Sequence, residues 1–211
     1  VQQRPKPFKQ LIEHKVSDLK GKPDVSLCAS APEFRIVERD MIENFVKRGF
    51  QIDNIQKWIC ERFANGIKSV INDYDYILID CPPSLNMLTV NALVAADGVL
   101  VPMQCEYFAL HGFIELKGNL DKVKTFLNPE LRLIGILATM YDKKTSHNRQ
   151  VLERILEQFP EDVFETIIAK TIRFPETTVV GEPITTYATT SGGAASYRRL
   201  ARELIARGGA R

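Results

Sequence analysis

The chain has 211 residues, 45% of them apolar and 26% charged, with a formal net charge of +2. That length is enough for a substantial core and suits a globular α/β domain. The near-neutral balance excludes a global polyelectrolyte, so any nucleic-acid surface has to be a local patch.

Taken in chain order, short β-rich runs alternate with longer helical patterns. Val25–Ala29 reads as a strand and Ile36–Lys47 as a helix. Ile52, Ile55, Ile59, Phe63, Ile67 and Val70 recur at three- and four-residue steps behind Asp53, which predicts an amphipathic helix. Tyr76–Asp80 reads as a buried strand, followed by a helix from about Ser84 to Ala96. Gly98–Met103 is a second buried strand. Leu110, Phe113, Ile114, Leu120, Val123 and Leu127 then mark a helix that stops at Asn128-Pro129. "LIGILAT", Leu133–Thr139, is the next strand, Gln150–Phe159 the next helix and Val163–Ile168 a last strand. The run Phe174–Ser191, rich in Thr, Pro and Gly, reads as the longest irregular piece, and Ala194–Ala206 as the closing helix. This alternation implies right-handed crossovers and a mostly parallel sheet with helices on both faces.

The cysteines Cys28, Cys60, Cys81 and Cys105 form no C-x-x-C pair, which argues against a disulfide framework or a zinc site and for reduced thiols in a cytosolic protein. His14, His111 and His147 have no metal-ligand spacing and read as surface or packing residues. The apolar stretch from Ala92 to Met103 is broken by Asp97 and Gly98, so no membrane span is expected, and no signal peptide is expected either.

In open parallel sheets ligands bind beyond the carboxyl ends of the strands. Asp80, Gln104-Cys105-Glu106 and Tyr141-Asp142 all fall at such ends. A carboxylate just past a buried strand costs desolvation energy unless a cation or hydrogen-bond donors meet it. By itself, Asp80 fits two roles equally well: the Mg²⁺-associated aspartate of a Walker-B strand, or a cap for the helix near Ser84. Cys81 and Cys105 read as small buried thiols rather than a redox pair.

The wider stretch "YDYILIDCPPSLNMLTVNALVAADGVLVPMQCEYFALHG" resembles the Walker-B and switch region of the ParA/Soj-type partition ATPases, deviant-Walker P-loop NTPases grouped with MinD. The resemblance continues through "NPELRLIGILATMYD" and "GEPITTY" to Ala194-x-x-Tyr197 and covers roughly residues 25–205. It implies a three-layer P-loop fold over residues 25–211, missing the N-terminal phosphate-loop strand, with residues 1–24 an arm or remnant of an upstream segment. It implies an ATP-dependent switch that dimerises with ATP, binds DNA non-specifically, responds to a ParB-like stimulating protein and works in chromosome or plasmid partitioning. Such a protein is cytoplasmic, nucleoid-associated and has no membrane partner.

Position by position, the resemblance makes Asp80 the catalytic-site residue that holds the Mg²⁺ water shell, and Cys81, Pro82 and Pro83 the switch that responds to the γ-phosphate. Gln104 and Glu106 match a segment near the nucleotide and the dimer interface, and Ile168–Arg173, with Ile168 and Lys170, the place of the adenine. Lys144 and Arg173 fall where the family contacts DNA backbone, with Lys143, Lys170 and Arg149 widening the patch. Arg198, Arg199, Arg202 and Arg207 either extend it or form a solvated helix face. There are departures. Gly192 stands where arginine is common, Lys144 replaces a frequent arginine, and "RFPETT" differs from the usual Leu-Ser-Glu-Ala-Pro.

No G-x-x-x-x-G-K-[ST] phosphate loop occurs in these residues. The expectation is a chain that does not hydrolyse ATP alone, either as an N-terminally truncated partition ATPase or as a non-catalytic binding or regulatory module of a complete partner ATPase. Without the phosphate-loop strand beside it, Tyr76–Asp80 is expected to keep unpaired backbone groups.

Overall fold

The computed structural model describes residues 13–14, 26–27, 47, 60–61, 63–82 and 84–209. The chain divides into two compact units, Val1–Ala95 and Ala96–Arg211.

In the first unit, β1 (Glu13–His14) and β2 (Ser26–Leu27) pair antiparallel, with Glu13 opposite Leu27. β2 lies inside the predicted Val25–Ala29 strand. Of the predicted Ile36–Lys47 helix only Lys47 is described, and it is helical. The 52–70 helix is described from residue 60 and holds to residue 68, with Cys60, Ile67 and Val70 buried as the three- and four-residue steps require. The Ser69 hydroxyl then donates to the Gly66 carbonyl at 2.6 Å and a 3-10 turn over Ile71–Asp73 ends the element. Helix α1 (Met87–Ala95) begins three residues after Ser84, because Asn86 Oδ1 accepts from the Thr89 N–H at 3.0 Å and so caps it. The Cys60 thiol donates to Asn91 Oδ1 at 3.0 Å, joining α1 to the helix before it.

The predicted strand Tyr76–Asp80 does not form. Among the described residues it has no ladder partner and is irregular. Exposure nevertheless alternates along it: Ile77 and Ile79 are half-buried, while Tyr76, Leu78 and Asp80 are exposed, Leu78 to 85%. The period-2 pattern of a strand is therefore present without, among the described residues, the neighbour that turns such a pattern into a strand.

The second unit is built on β3 (Gly98–Gln104) and β4 (Arg132–Thr139), which pair parallel from Gly98 opposite Arg132 to Gln104 opposite Thr139. The register slips once, between Val99 and Leu100, where Ile134 has no opposite number. On the far side of β4 the predicted Val163–Ile168 strand is present in pieces. The Ile136 N–H donates to the Asp162 carbonyl at 2.7 Å, the Phe164 N–H to Ile136 at 2.9 Å and the Ile168 N–H to Ala138 at 2.9 Å. The ladder is broken between these bonds because the N–H groups of Glu165 and Thr166 go to the Glu203 carboxylate, at 2.7 and 2.9 Å. β4 thus runs between two neighbours, and Gly135–Ala138 are buried on both faces, as an unalternating apolar run predicts.

Helices cover both faces of this sheet. On one side α2 (Tyr107–Phe126) and α3 (Ser146–Gln158) bring Leu110, Phe113, Val151 and Ile155 against Val101, Met103, Ile136 and Val163. The Phe113 and Phe159 rings meet edge-on at 5.0 Å. α2 stops at Asn128-Pro129, whose Asn128 amide donates back to the Ala96 carbonyl at 2.8 Å. On the other side Leu137, Phe164 and Ile168 take Phe174, Leu200 and Leu204. These come from α4 (Arg173–Val180) and α6 (Gly192–Leu204), with the short α5 (Ile184–Tyr187) between them. α6 is capped by Ser191, whose hydroxyl accepts from the Ala194 N–H, and runs into a wider final turn over Ile205–Gly209.

The Phe174–Ser191 segment is therefore not the irregular loop that its Thr, Pro and Gly content predicts. Pro175 falls in the first turn of α4, where its missing N–H costs nothing. The Thr177 hydroxyl bonds back to the Phe174 carbonyl at 2.7 Å, and Gly181 closes the helix in the left-handed region at φ 72°.

Candidate functional site

In the first unit the candidate residues are Asp80, Cys81 and Pro82, all exposed; Pro83 lies outside the described residues. Of the two roles open to Asp80, capping belongs to Asn86, six residues further on. Among the described residues the Asp80 carboxylate has no hydrogen-bond or ion-pair partner, and no three His, Cys, Asp or Glu side chains gather into a metal cluster. A single free carboxylate is the donor set that Mg²⁺ accepts when it keeps most of its water and takes its remaining ligands from phosphate. Cys81 corrects the expectation of a buried thiol, since it is exposed. Desolvation of its sulfur and the adjacent Asp80 charge both push the thiol above its ordinary value. Cys105 is the buried thiol expected of it, 1% exposed and pushed up to about 11 by burial.

In the second unit the carboxyl ends of the strands bring the other candidates to one edge. Gln104 is the exposed last residue of β3, and the exposed Glu106 occupies the cap position of α2 with extended backbone. The Lys170 N–H donates to the Tyr141 carbonyl at 2.9 Å, which sets the exposed Lys170 beside the end of β4. Ile168 is different. It is 3% exposed, packed with Leu137 and Phe164, and its backbone N–H and carbonyl are both taken by the β4 side.

Lys144 sits in the turn between β4 and α3, exposed along with Lys143 and Arg149. The turn has two features that sequence inspection misses. Met140 has φ 52°, the left-handed region that a side chain with a Cβ adopts at a cost of about 1 kcal/mol or more. Asn148, in the first turn of α3, donates through Nδ2 to the Cys105 carbonyl at 2.8 Å and accepts at Oδ1 from the Asp142 N–H at 2.9 Å. Asp142 Oδ1 in turn accepts from the Lys144 N–H at 2.9 Å. A polar residue in a first helical turn has no pattern that announces such a bridge.

Arg173 opens α4 and is bound to Glu176 at 2.9 Å, an ion pair that holds its guanidinium further above the ordinary arginine value. The arginines of the last helix divide. Arg198 donates to the carbonyls of Thr189 and Thr185, and Arg207 to those of Glu161, Asp162 and Val163, so both hold the fold together. Arg199 and Arg202 remain exposed. A shallow groove of about 140 Å³ lined by Val99, Lys117, Leu120, Lys124 and Arg132 lies at the amino ends of the strands, away from these loops. Among the described residues no helix is long and apolar enough to cross a membrane.

A parallel sheet covered by helices on both faces, with polar residues gathered at the carboxyl ends of its strands, is the architecture of doubly wound α/β folds, P-loop NTPases among them. Residues 12–133 match the model of the AAA domain, and the chain belongs to that family, as one of its ParA-type members. It is 52% identical over 149 residues to an uncharacterized protein of Mycobacterium tuberculosis, a match covering 71% of this chain and 47% of that one. It is 50% identical over 134 residues to the chromosome-partitioning ATPase Soj of Thermus thermophilus, covering 64% of this chain and 54% of Soj. Among solved structures, cobyrinic acid a,c-diamide synthase of Mycobacterium smegmatis with bound ADP and magnesium superposes with a TM-score of 0.70 at 26% identity, covering 94% of this chain and 66% of that one. The chain spans about half the length of the curated relatives it matches.

Proposed function

We propose that the chain is the Walker-B and DNA-contacting part of a ParA-type partition ATPase, a cytoplasmic switch that binds ATP and Mg²⁺, dimerises and loads onto nucleoid DNA. The observation that supports the nucleotide half is the Asp80 carboxylate, without a partner among the described residues, at the head of Asp80-Cys-Pro-Pro-Ser84, with the competing capping role taken by Asn86. In this reading Asp80 orients water around Mg²⁺, and the metal supplies countercharge to the phosphates. Pro82 and Pro83 restrict the backbone of the switch that follows. Gln104, Glu106 and Lys170 offer the exposed polar groups of the second unit, and Ile168 contributes by fixing the backbone from which Lys170 projects. Lys144 and Arg173, with Lys143, Lys170 and Arg149, contact phosphates rather than bases, so binding is independent of sequence and weakened by salt. A ParB-like protein is the stimulating partner.

The 211 residues contain no phosphate loop, so on this reading they bind DNA but do not turn over ATP by themselves. The test is duplex binding by the chain with Lys144→Glu and Arg173→Glu combined. Loss of two phosphate contacts should flatten the slope of log K against log salt by about 1.8. An unchanged slope places the DNA surface elsewhere. ATP hydrolysis by the isolated chain that Asp80→Ala abolishes would overturn the rest of the assignment.

A further inference from the structure

The two loops that the proposed function assigns to nucleotide and to DNA, residues 104–106 and 142–144, are joined by one side chain. Three hydrogen bonds run in series: Asn148 Nδ2 to the Cys105 carbonyl at 2.8 Å, the Asp142 N–H to Asn148 Oδ1 at 2.9 Å, and the Lys144 N–H to Asp142 Oδ1 at 2.9 Å. Each end is otherwise anchored. The Cys105 N–H donates to the Thr139 carbonyl and its side chain is buried, so the carbonyl held by Asn148 moves only if the Gln104–Glu106 segment moves. At the other end the Asp142 carbonyl accepts from the Thr145 N–H, closing the turn that presents Lys143 and Lys144. Just before it stands Met140 at φ 52°, a backbone held in a sparsely populated region by its surroundings.

We infer that Asn148 is a positioning residue that couples the Glu106 loop to the basic turn, so that displacement of one resets the presentation of the Lys144 ammonium to a phosphate backbone. The inference rests on the proposed function for what the two loops bind, but the mechanical link does not. A carboxamide donates from its nitrogen to a carbonyl and accepts at its oxygen from an N–H, so one neutral side chain serves both loops. Its short side chain leaves little slack between the two loops. An ordinary first-turn polar residue would satisfy one partner and leave the other loop to water.

The experiment is a double-mutant cycle read at backbone amides of the 211-residue chain by NMR. Glu106→Ala is expected to shift the Asp142 and Lys144 amides in the wild-type background and to leave them unmoved in Asn148→Ala. Asn148→Asp keeps the acceptor for the Asp142 N–H and a helix-starting residue, and sets a carboxylate oxygen where the donor to the Cys105 carbonyl had been. It should fold normally, keep the Asp142 amide protected from exchange, and still break the coupling. A Glu106 perturbation that reaches Lys144 equally in all three backgrounds overturns the inference. Duplex binding gives the second readout: Asn148→Ala should weaken binding several-fold, and by no further factor once Lys144→Glu is present. Full additivity of the two also overturns it. If Lys144→Glu itself leaves duplex binding unchanged, the DNA assignment of the turn has failed, and the amide cycle still decides the role of Asn148.

Discussion

The guanidinium of Arg207 lies 4.4 Å from the centroid of the Phe164 ring. From there it donates to the Val163 carbonyl at 2.6 Å and pairs with Glu203 at 3.2 Å, while Glu203 takes the N–H groups of Glu165 and Thr166. The last helix therefore satisfies the outer edge of the 162–168 segment with two side chains, where a further strand would otherwise be needed. Arg207→Ala should cost roughly 2–3 kcal/mol, combining charge-assisted hydrogen bonds with the cation–π contact. Arg207→Lys should recover less than half, because a compact ammonium lacks the planar fork that lies over the ring and spans the three carbonyls. Urea unfolding monitored by circular dichroism measures both, and equal stability of the three proteins would show that the edge needs no lid.

The same contact gives a pH dependence. Burial raises the Glu203 carboxyl, but hydrogen bonds from Thr166 and Glu165 and the charge of Arg207 outweigh it and hold the group below its ordinary value. A carboxyl depressed in the folded state contributes stability that is complete above its unfolded pKa, near 4.5, and is lost as pH falls through the folded value. Glu203→Gln should therefore be less stable than wild type at pH 7, and the gap should close steadily below about pH 4.5. Stability curves that stay parallel down to pH 3 would remove the carboxylate from this role.

The legible parts of the fold are those where one signal decides. "LIGILAT" is apolar without alternation, and β4 is buried on both faces, as such a run requires. Leu110, Phe113, Leu120 and Val123 mark the buried stripe of α2, and Asn128-Pro129 its end. Tyr76–Asp80 has the composition of a strand, but composition does not supply a neighbour. Phe174–Ser191 has loop composition, yet its threonines bond back along α4 and its glycine serves as a cap. In the candidate site Asp80 is singled out by the motif that carries it, and the structure leaves it exposed. The inward direction of Ile168, the commitments of Arg198 and Arg207, and the Asn148 bridge were not legible. Each depends on contacts between segments far apart in the chain.

At Gly135 the 162–168 segment packs directly on β4. A Cβ there would stand 2.6 Å from the Phe164 ring and 2.7 Å from the Asp162 carbonyl oxygen, whose own hydrogen bond to the Ile136 N–H fixes it. Gly135→Ala must push the segment outward against α6, at about 1–3 kcal/mol of overpacking and roughly 2–12 °C in Tm. Gly118, in α2 with nothing within 4 Å of its would-be Cβ, is the control. Gly118→Ala should be neutral or stabilising by about 0.5–1 kcal/mol through helix propensity. Scanning calorimetry of the pair separates the two effects, and an unchanged Tm for Gly135→Ala would refute the close approach.

The ion pair between Arg173 and Glu176 bears directly on DNA binding. An arginine whose guanidinium is held by a carboxylate one turn along its own helix has to give up that partner, or share it, to meet a phosphate. The carboxylate also repels the incoming backbone. Glu176→Gln removes the charge with little change in shape, so duplex affinity at low salt should rise about two- to fivefold. The salt dependence should steepen by up to about 0.9 in slope as Arg173 becomes a full contact. Arg173→Gln should lower affinity, and adding Glu176→Gln to it should restore only the part due to general repulsion. Fluorescence anisotropy with a duplex of arbitrary sequence at several salt concentrations measures all three. If Glu176→Gln raises affinity equally with Arg173 present or absent, the arginine makes no phosphate contact and the patch centres on Lys143, Lys144 and Lys170.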